Sequence, residues 1–179
     1  IQNLSEYVRV LDQEGKTDII SPSAASVRKL FDHVPGKRNF TQTRNELIVR
    51  LFWETALRSD EMSRVKMRNI DDDQREITVR SAKLNREEHP DLYHRRVWWS
   101  QELDHLMRRW RLLRENVVDE SEYLFVGSSG DQLSPSYLSR IVKKAAQQAG
   151  IQEPLTRDEN GDVQQHLWTA HRLGHAGIT

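Results

Sequence analysis

The 179-residue sequence contains no cysteine, which excludes disulfide bonds, thiolate metal sites and cysteine nucleophiles and is compatible with a reducing interior. No apolar run approaches the roughly 18 residues of a membrane-spanning helix, and no charged-then-apolar leader opens the chain. Lysine plus arginine and aspartate plus glutamate number 27 each, so no excess of one sign favours nucleic acid, although a local basic patch is compatible with this balance. We expect a globular protein with a polar surface and no membrane contact.

The spacing of apolar residues predicts one domain that is mainly α-helical with a small antiparallel β-sheet (α+β). Two β-prone runs, Ile77–Val79 and Arg95–Trp99, predict a hairpin with a long charged connection. The polar stretch Gln152–Gln165 predicts a loop. Helices are predicted to begin near Pro22, Thr43, Ser59, Ser100, Pro135 and Thr169.

The predicted junction between two helices contains Arg58, followed three residues later by Glu61. A guanidinium matches the oxygens of a phosphate bidentately, and the carboxylate would hold its rotamer. The spacing alone favours an ordinary surface ion pair over a phosphate site. Lys83 is the only lysine between the two hairpin strands; beside DNA it could protonate a leaving oxygen, but in isolation it is a solvated loop lysine.

His171 and His175 lie four residues apart on the last predicted helix and can share a face. The sequence His-Arg-Leu-Gly-His lacks the glutamate of a zincin helix, so a zinc site in an unrelated hydrolase is the least favoured hypothesis. Two surface or core histidines explain the spacing more simply.

The helix predicted after Ser100 has an outer face rich in arginine. These side chains either contact a phosphate backbone or form a solvated face balanced by nearby acids, and the sequence does not separate the two. The arginines are Arg108, Arg109, Arg111 and Arg114.

Four stretches follow one another along the chain: Asn45–Val65, Ile77–Trp99, Tyr123–Ile151 and Thr169–His175. In this order they resemble the catalytic domain of the tyrosine recombinases, the family that includes the phage-type integrases. The first resembles the helix pair that holds the first catalytic arginine, and the second resembles the hairpin that holds the catalytic lysine. The third resembles the strand and helix that follow, and the last resembles the family's His-x-x-Arg box.

The resemblance implies roles for individual residues. Arg58 resembles the arginine that binds the scissile phosphate, Lys83 the general acid, and His171 the box histidine that assists proton transfer, with Glu61 and His175 as supporting residues. The family needs no metal and no other cofactor, because a tyrosine attacks the phosphodiester and arginines stabilise the charge on phosphorus.

Two departures from the family pattern stand out. Gly174 occupies the position of the second arginine of the box, and glycine has no side chain to hold a phosphate. All four tyrosines lie before the box, so we expect the chain to be truncated before the nucleophilic tyrosine and to be inactive alone. They are Tyr7, Tyr93, Tyr123 and Tyr137.

The resemblance implies site-specific recombination of double-stranded DNA through a 3′-phosphotyrosyl intermediate, with a tetramer on DNA as the working assembly. We expect residues 1–20 to be a linker or a remnant of a core-binding domain, and residues 21–179 to be a catalytic domain that is incomplete at its C-terminus. The implied setting is the cytoplasm of a bacterial or archaeal cell, or a phage or mobile element. The alternative is a degenerate recombinase that acts as a non-catalytic DNA-binding module.

Overall fold

The computed structural model describes residues 22–81, 87, 93–118 and 120–178. The expected linker at residues 1–20 lies outside these ranges. Six α-helices are described: α1 (Ala24–Asp32), α2 (Asn39–Thr55), α3 (Ser59–Ser63), α4 (Asp104–Glu115), α5 (Pro135–Gln148) and α6 (Ala170–Ile178). The strands are β1 (Ile70–Asp71), β2 (Glu76–Arg80), β3 (His94–Trp98), β4 (Pro154–Arg157) and β5 (Val163–His166). The predicted α+β class is confirmed.

Helix α2 is the centre of the fold and packs against α4, α5 and α6. Its apolar residues recur at helical spacing, and Leu47, Ile48, Leu51 and Phe52 are completely buried. Packing on these neighbours therefore fixes the position of the C-terminal half of this helix and of the residues that follow it.

Strands β1, β2 and β3 form an antiparallel sheet in that order. The register places Ile77 opposite Val97 and Val79 opposite Arg95. The three apolar residues of these pairs are buried, because side chains alternate between the two faces of a strand. The predicted hairpin is confirmed, and most of its connection lies outside the described residues.

The predicted start of α2 and the predicted cap of α3 are displaced. Helix α2 begins at Asn39, one turn before the predicted cap at Thr43. Thr43 is buried within the helix and donates a hydrogen bond to Asn39 Oδ1 (3.2 Å), so its hydroxyl is satisfied without capping. Helix α3 begins at Ser59, as predicted, but Ser59 is not its cap: the N-cap is Arg58, and the Ser59 hydroxyl pairs with that of Ser139 at 2.7 Å.

The stretch Gln152–Gln165 is not a loop throughout, because β4 and β5 form an antiparallel hairpin there. Asp158 organises its turn by accepting hydrogen bonds from the backbone N–H groups of Asn160 (3.0 Å) and Asp162 (2.8 Å). The ribbon is largely exposed on both faces, so it has no alternating apolar pattern that would predict strands.

Within the described ranges, no helix is both long enough and apolar enough to cross a membrane.

Candidate active site

The site is built on the sharp junction between α2 and α3. Helix α2 ends at Thr55, and Ala56 adopts the left-handed conformation with φ 46° and ψ 34°. The chain then becomes extended at Arg58, the N-cap of α3. Two tightly connected helices thus hold Arg58 at a corner, where its side chain is 41% exposed.

Glu61 fixes the arginine at this corner. Its Oε2 accepts a hydrogen bond from the backbone N–H of Arg58 (2.9 Å), and its Oε1 accepts one from Nη1 of the same residue (3.2 Å). The first bond satisfies an amide that the start of a helix leaves without a partner. Because the Glu61 side chain is 0% exposed, this pair differs from an ordinary solvated surface pair.

A second arginine, Arg95 on β3, binds the same carboxylate. Its Nη2 donates to Glu61 Oε2 at 2.7 Å. Sequence reasoning did not identify Arg95 as a site residue, although a signal was present. Arg95 lies two residues before the buried Val97 and therefore faces the same side of the strand, where a cation needs a buried carboxylate.

The two arginines open onto a pocket of about 350 Å³ that also contains both histidines of the last helix. The His171 and His175 rings meet edge to face, with centroids 4.4 Å apart, and both residues are exposed. The pocket is lined by Ala56, Leu57, Arg58, Arg95, His171 and His175. The predicted residues Arg58, His171 and His175 are thus brought together with Glu61 behind them.

Gly174 has a packing role that the sequence does not reveal. It is buried, and a Cβ at this position would lie 2.8 Å from Cα of Ala56 and 3.1 Å from the carbonyl oxygen of Phe52. A Cβ at Gly177 would collide with the carbonyl oxygen of Trp53. The two glycines allow α6 to approach the backbone of the last turn of α2 closely.

Lys83 lies outside the described residues. The hairpin that carries it is described up to Ser81, whose N–H donates to the carbonyl oxygen of Tyr93 at 2.8 Å. The loop therefore leaves the sheet at the end of β2 and returns immediately before β3, the strand that holds Arg95.

None of the described tyrosines lines the pocket. The Tyr137 hydroxyl accepts a hydrogen bond from buried Arg44 at 3.1 Å, and the Tyr123 ring lies beside Lys66. Tyr93 packs edge to face on His94. Tyr7 lies outside the described residues.

No cluster of three or more His, Cys, Asp or Glu side chains with metal-ligand geometry occurs among the residues that the structure describes. His171 and His175 stand there as a pair.

The arginine-rich face of α4 is largely engaged inside the chain. Arg114 is buried and donates to the carbonyl oxygens of Tyr123 (2.9 Å) and Ser121, and burial lowers its pKa. Arg111 pairs with Asp72, and Arg109 donates to Asn39 Oδ1 at 2.6 Å. The prediction that Arg114 lies on the outer face is therefore wrong, because its guanidinium is buried against backbone carbonyl groups. For Arg109 and Arg111, the contacts favour pairing within the chain over contact with a phosphate backbone.

Comparison with known proteins gives a consistent result. A model of the phage integrase family matches residues 23–175. The tyrosine recombinase XerC of Corynebacterium glutamicum is 27% identical over 108 residues, which are 60% of this chain and 32% of that protein. The chain therefore spans about a third of this relative's length.

Solved structures share the fold. The crystal structure of the XerA recombinase matches with a TM-score of 0.68 and 22% identity, over 89% of this chain and 49% of that one. The XerH site-specific recombinase, in a post-cleavage complex with a palindromic difH substrate, matches with a TM-score of 0.65 and 20% identity, over 88% of this chain and 40% of that one.

Proposed function

We propose that this chain, which belongs to the phage integrase family, binds the scissile phosphate of double-stranded DNA during site-specific recombination. The proposal assigns residues 21–179 to a catalytic domain and residues 1–20 to a linker or a remnant of a core-binding domain. Its relative XerC is a tyrosine recombinase, and the similar structure of XerH contains a recombination substrate. These similarities do not favour the alternative of a non-catalytic DNA-binding module.

The observation that carries the proposal is the charge of the pocket. Two guanidiniums share one buried carboxylate, which leaves an excess of one positive charge beside two histidines. A phosphodiester carries one negative charge, and more negative charge develops on its oxygens when phosphorus becomes five-coordinate. Preorganised cations stabilise that developing charge without reorganising during the reaction.

The chemistry proposed for this pocket is a reversible phosphoryl transfer. A tyrosine hydroxyl gives its proton to a base of the site and its oxygen forms a bond to phosphorus, while the bond from phosphorus to the 5′-oxygen breaks and that oxygen takes a proton from the general acid. The reverse step uses the 5′-hydroxyl of another strand and returns the proton to the tyrosine. The number of phosphoester bonds does not change, so no nucleotide cofactor is needed.

Each residue has a defined part in this scheme. Arg58 binds the phosphate, Glu61 orients Arg58, and Lys83 donates the proton to the 5′-oxygen. His171 assists proton transfer, and His175 supports its ring through their edge-to-face contact. The attacking tyrosine is supplied from outside the described residues, and we expect the working assembly to be a tetramer on DNA.

The first test uses Arg58→Ala, with Arg50→Ala as the matched control. Arg50 lies on α2 and forms a surface pair with Glu46 at 3.1 Å, so both variants lose one positive charge. We expect Arg58→Ala to weaken binding of the chain to DNA duplexes of any sequence and to lower the salt slope by about one, because phosphate contacts carry no base information. Arg50→Ala should retain the parental slope.

The second measurement follows covalent chemistry in the full-length natural protein on a nicked suicide substrate. A protein–DNA band on a denaturing gel is expected from the parent, and Arg58→Ala should reduce its rate of formation by about 10²–10³-fold, as removal of one charge-stabilising donor does elsewhere. A changed sequence preference in Arg58→Ala, or an undiminished covalent band, would contradict the assignment of Arg58 to the phosphate.

A further inference from the structure

We propose that Arg95 is a second phosphate-binding residue of this pocket and contacts a non-bridging oxygen of the scissile phosphate together with Arg58. This inference rests on the proposed function, because it names a further residue that acts on the same phosphate. It comes from three features of the described residues: the shared carboxylate, the position of Arg95 on β3, and the closed packing at Gly174.

The shared carboxylate holds both guanidiniums at the same pocket. Arg95 binds Oε2 of Glu61 at 2.7 Å, and Arg58 binds Oε1 at 3.2 Å. Their side chains are exposed to nearly the same extent, 37% and 41%, and both line the pocket. A guanidinium has five N–H donors in a fixed fork, so each retains donors for a phosphate oxygen after binding Glu61.

The sheet gives Arg95 a fixed origin. The backbone of β3 is paired with β2, and Arg95 stands opposite Val79, which is buried. Its neighbour on the same face, Val97, is buried as well. The guanidinium therefore extends from a rigid strand. A rigid origin allows it to bind a phosphate oxygen without reorganisation.

Arg95 adds to the positive charge of the pocket. Glu61 carries one negative charge and pairs with two guanidiniums, so Arg58, Arg95 and Glu61 together carry one net positive charge. Replacing Arg95 would remove that net charge from the three-residue group. The two side chains approach from different elements, the corner before α3 and the strand β3, and so can bind different oxygens of one phosphate.

Position 174 does not supply a second cation to the pocket. A side chain there would begin with a Cβ only 2.8 Å from Cα of Ala56, which itself lines the pocket wall. The backbone of α2 thus occupies the space that a side chain at 174 needs. Arg95 is the described arginine that joins Arg58 in the pocket lining.

The test compares Arg95→Gln with Arg96→Gln in the full-length natural protein. Arg96 is the next residue of the same strand, faces the other side and pairs with Glu76 at 3.5 Å. Arg96→Gln therefore removes one positive charge, as Arg95→Gln does, but away from the pocket. We expect Arg95→Gln to slow formation of the covalent complex by about 10²-fold or more and Arg96→Gln to change it less than about threefold. Arg95→Lys, which retains a cation near Glu61, reports the effect of losing the guanidinium fork and provides a variant if Arg95→Gln does not fold.

A substrate with a methylphosphonate at the scissile position separates contact with phosphate from support of Glu61. This substrate lacks one negative oxygen, so a cation that neutralises that oxygen becomes dispensable. We expect the rate ratio between the parent and Arg95→Gln to shrink at least tenfold on this substrate. An equal ratio on both substrates would overturn the inference.

Because Arg58 contacts the same phosphate, a residue that only positions Arg58 through Glu61 would also become less important on the methylphosphonate substrate, so the comparison is repeated in the Arg58→Ala background. Replacing a direct phosphate ligand still slows covalent complex formation there, whereas no further effect of Arg95→Gln in that background would overturn the inference.

The failure of this inference and the failure of the proposed function are distinguishable. If Arg58→Ala loses covalent product and Arg95→Gln does not, Arg95 is not a phosphate ligand and the proposed function stands. If the parent forms no covalent product, the proposed chemistry fails, and salt-dependent DNA binding then decides for Arg95. A salt slope lowered by about one in Arg95→Gln but not in Arg96→Gln supports the contact, and equal slopes overturn it.

Discussion

Replacement of Gly174 by alanine tests whether this glycine is retained for packing. The added Cβ would lie 2.8 Å from Cα of Ala56, 3.1 Å from the Phe52 carbonyl oxygen and 3.2 Å from Cβ of Ala56. Two of these three atoms belong to the backbone, so they cannot rotate away. Overpacking of this kind costs about 1–3 kcal/mol, while alanine in a helix interior is favoured over glycine by about 1 kcal/mol.

The two effects oppose each other, and the close backbone contacts decide the sign. We expect Gly174→Ala to lower the free energy of unfolding by about 1 kcal/mol, which corresponds to a fall in Tm of about 2–4 °C for a chain of this size. Urea unfolding with linear extrapolation measures the change directly. His175→Ala, at the adjacent exposed position of α6, is the control and should remain within about 0.5 kcal/mol of the parent.

The partner residue allows a double-mutant cycle. Ala56→Gly removes the Cβ that lies 3.2 Å from the added methyl group, and glycine tolerates the φ of 46° better than alanine. We expect Gly174→Ala to cost at least about 0.5 kcal/mol less in the Ala56→Gly background, with partial rescue because the Cα and carbonyl contacts remain.

A stabilising effect of Gly174→Ala in the parent would refute this reasoning, because an uncrowded glycine in a helix gains stability on replacement by alanine. The same Cβ is present in Gly174→Arg. We therefore expect that variant to be at least as destabilised as Gly174→Ala and not to increase cleavage, since α6 must move before a new guanidinium can enter the pocket.

Two further predictions concern carboxylates. Glu61→Gln retains the shape of the side chain but leaves two guanidiniums without their shared charge, so urea unfolding should show a loss of about 1–3 kcal/mol, and an unchanged stability would argue against the double pairing. The hydrogen bonds from the Arg75 guanidinium (2.9 Å to Oδ2) and the Trp99 indole hold the pKa of Asp104 below its usual value. The ionised carboxylate therefore stabilises the fold above the unfolded pKa of about 3.9, and this stabilisation is lost as pH falls through the lower folded pKa. We expect the free energy of unfolding of Asp104→Asn to fall less than that of the parent between about pH 5 and pH 3. Equal losses in the two proteins would contradict the effect.

The sequence was informative where an interaction is local. Arg58 and Glu61 are three residues apart, so their pairing could be predicted from helix geometry alone. Arg95 binds the same carboxylate from 34 residues away, and this contact depends on how the sheet packs on α3. The alternation of side chains along β3 predicts that Arg95 lies on the inward face, but no local pattern identifies Glu61 as its partner.

The errors in the predicted elements have physical causes. The Thr43 and Glu46 spacing fits a capping box, yet the loop that ends at Arg38 already supplies a start one turn earlier, where the Arg38 N–H donates to the hydroxyl of Thr41 at 3.3 Å. The hairpin of β4 and β5 is exposed on both faces, so its sequence has the polar composition of a loop. Residue propensities therefore predict neither the earlier start of α2 nor the hairpin of β4 and β5.

Glu61 connects the local structure of the chain with the charge of its pocket. Its carboxylate accepts a hydrogen bond from the backbone N–H of Arg58 at the start of α3 and binds two guanidiniums, one from the same turn and one from β3. A change that loosens the first turn of α3 therefore releases both arginines together, although Arg95 belongs to another element. It follows that phosphate affinity and the stability of α3 should fall together in variants of this turn, whereas variants of the exposed Arg96 should leave both unchanged.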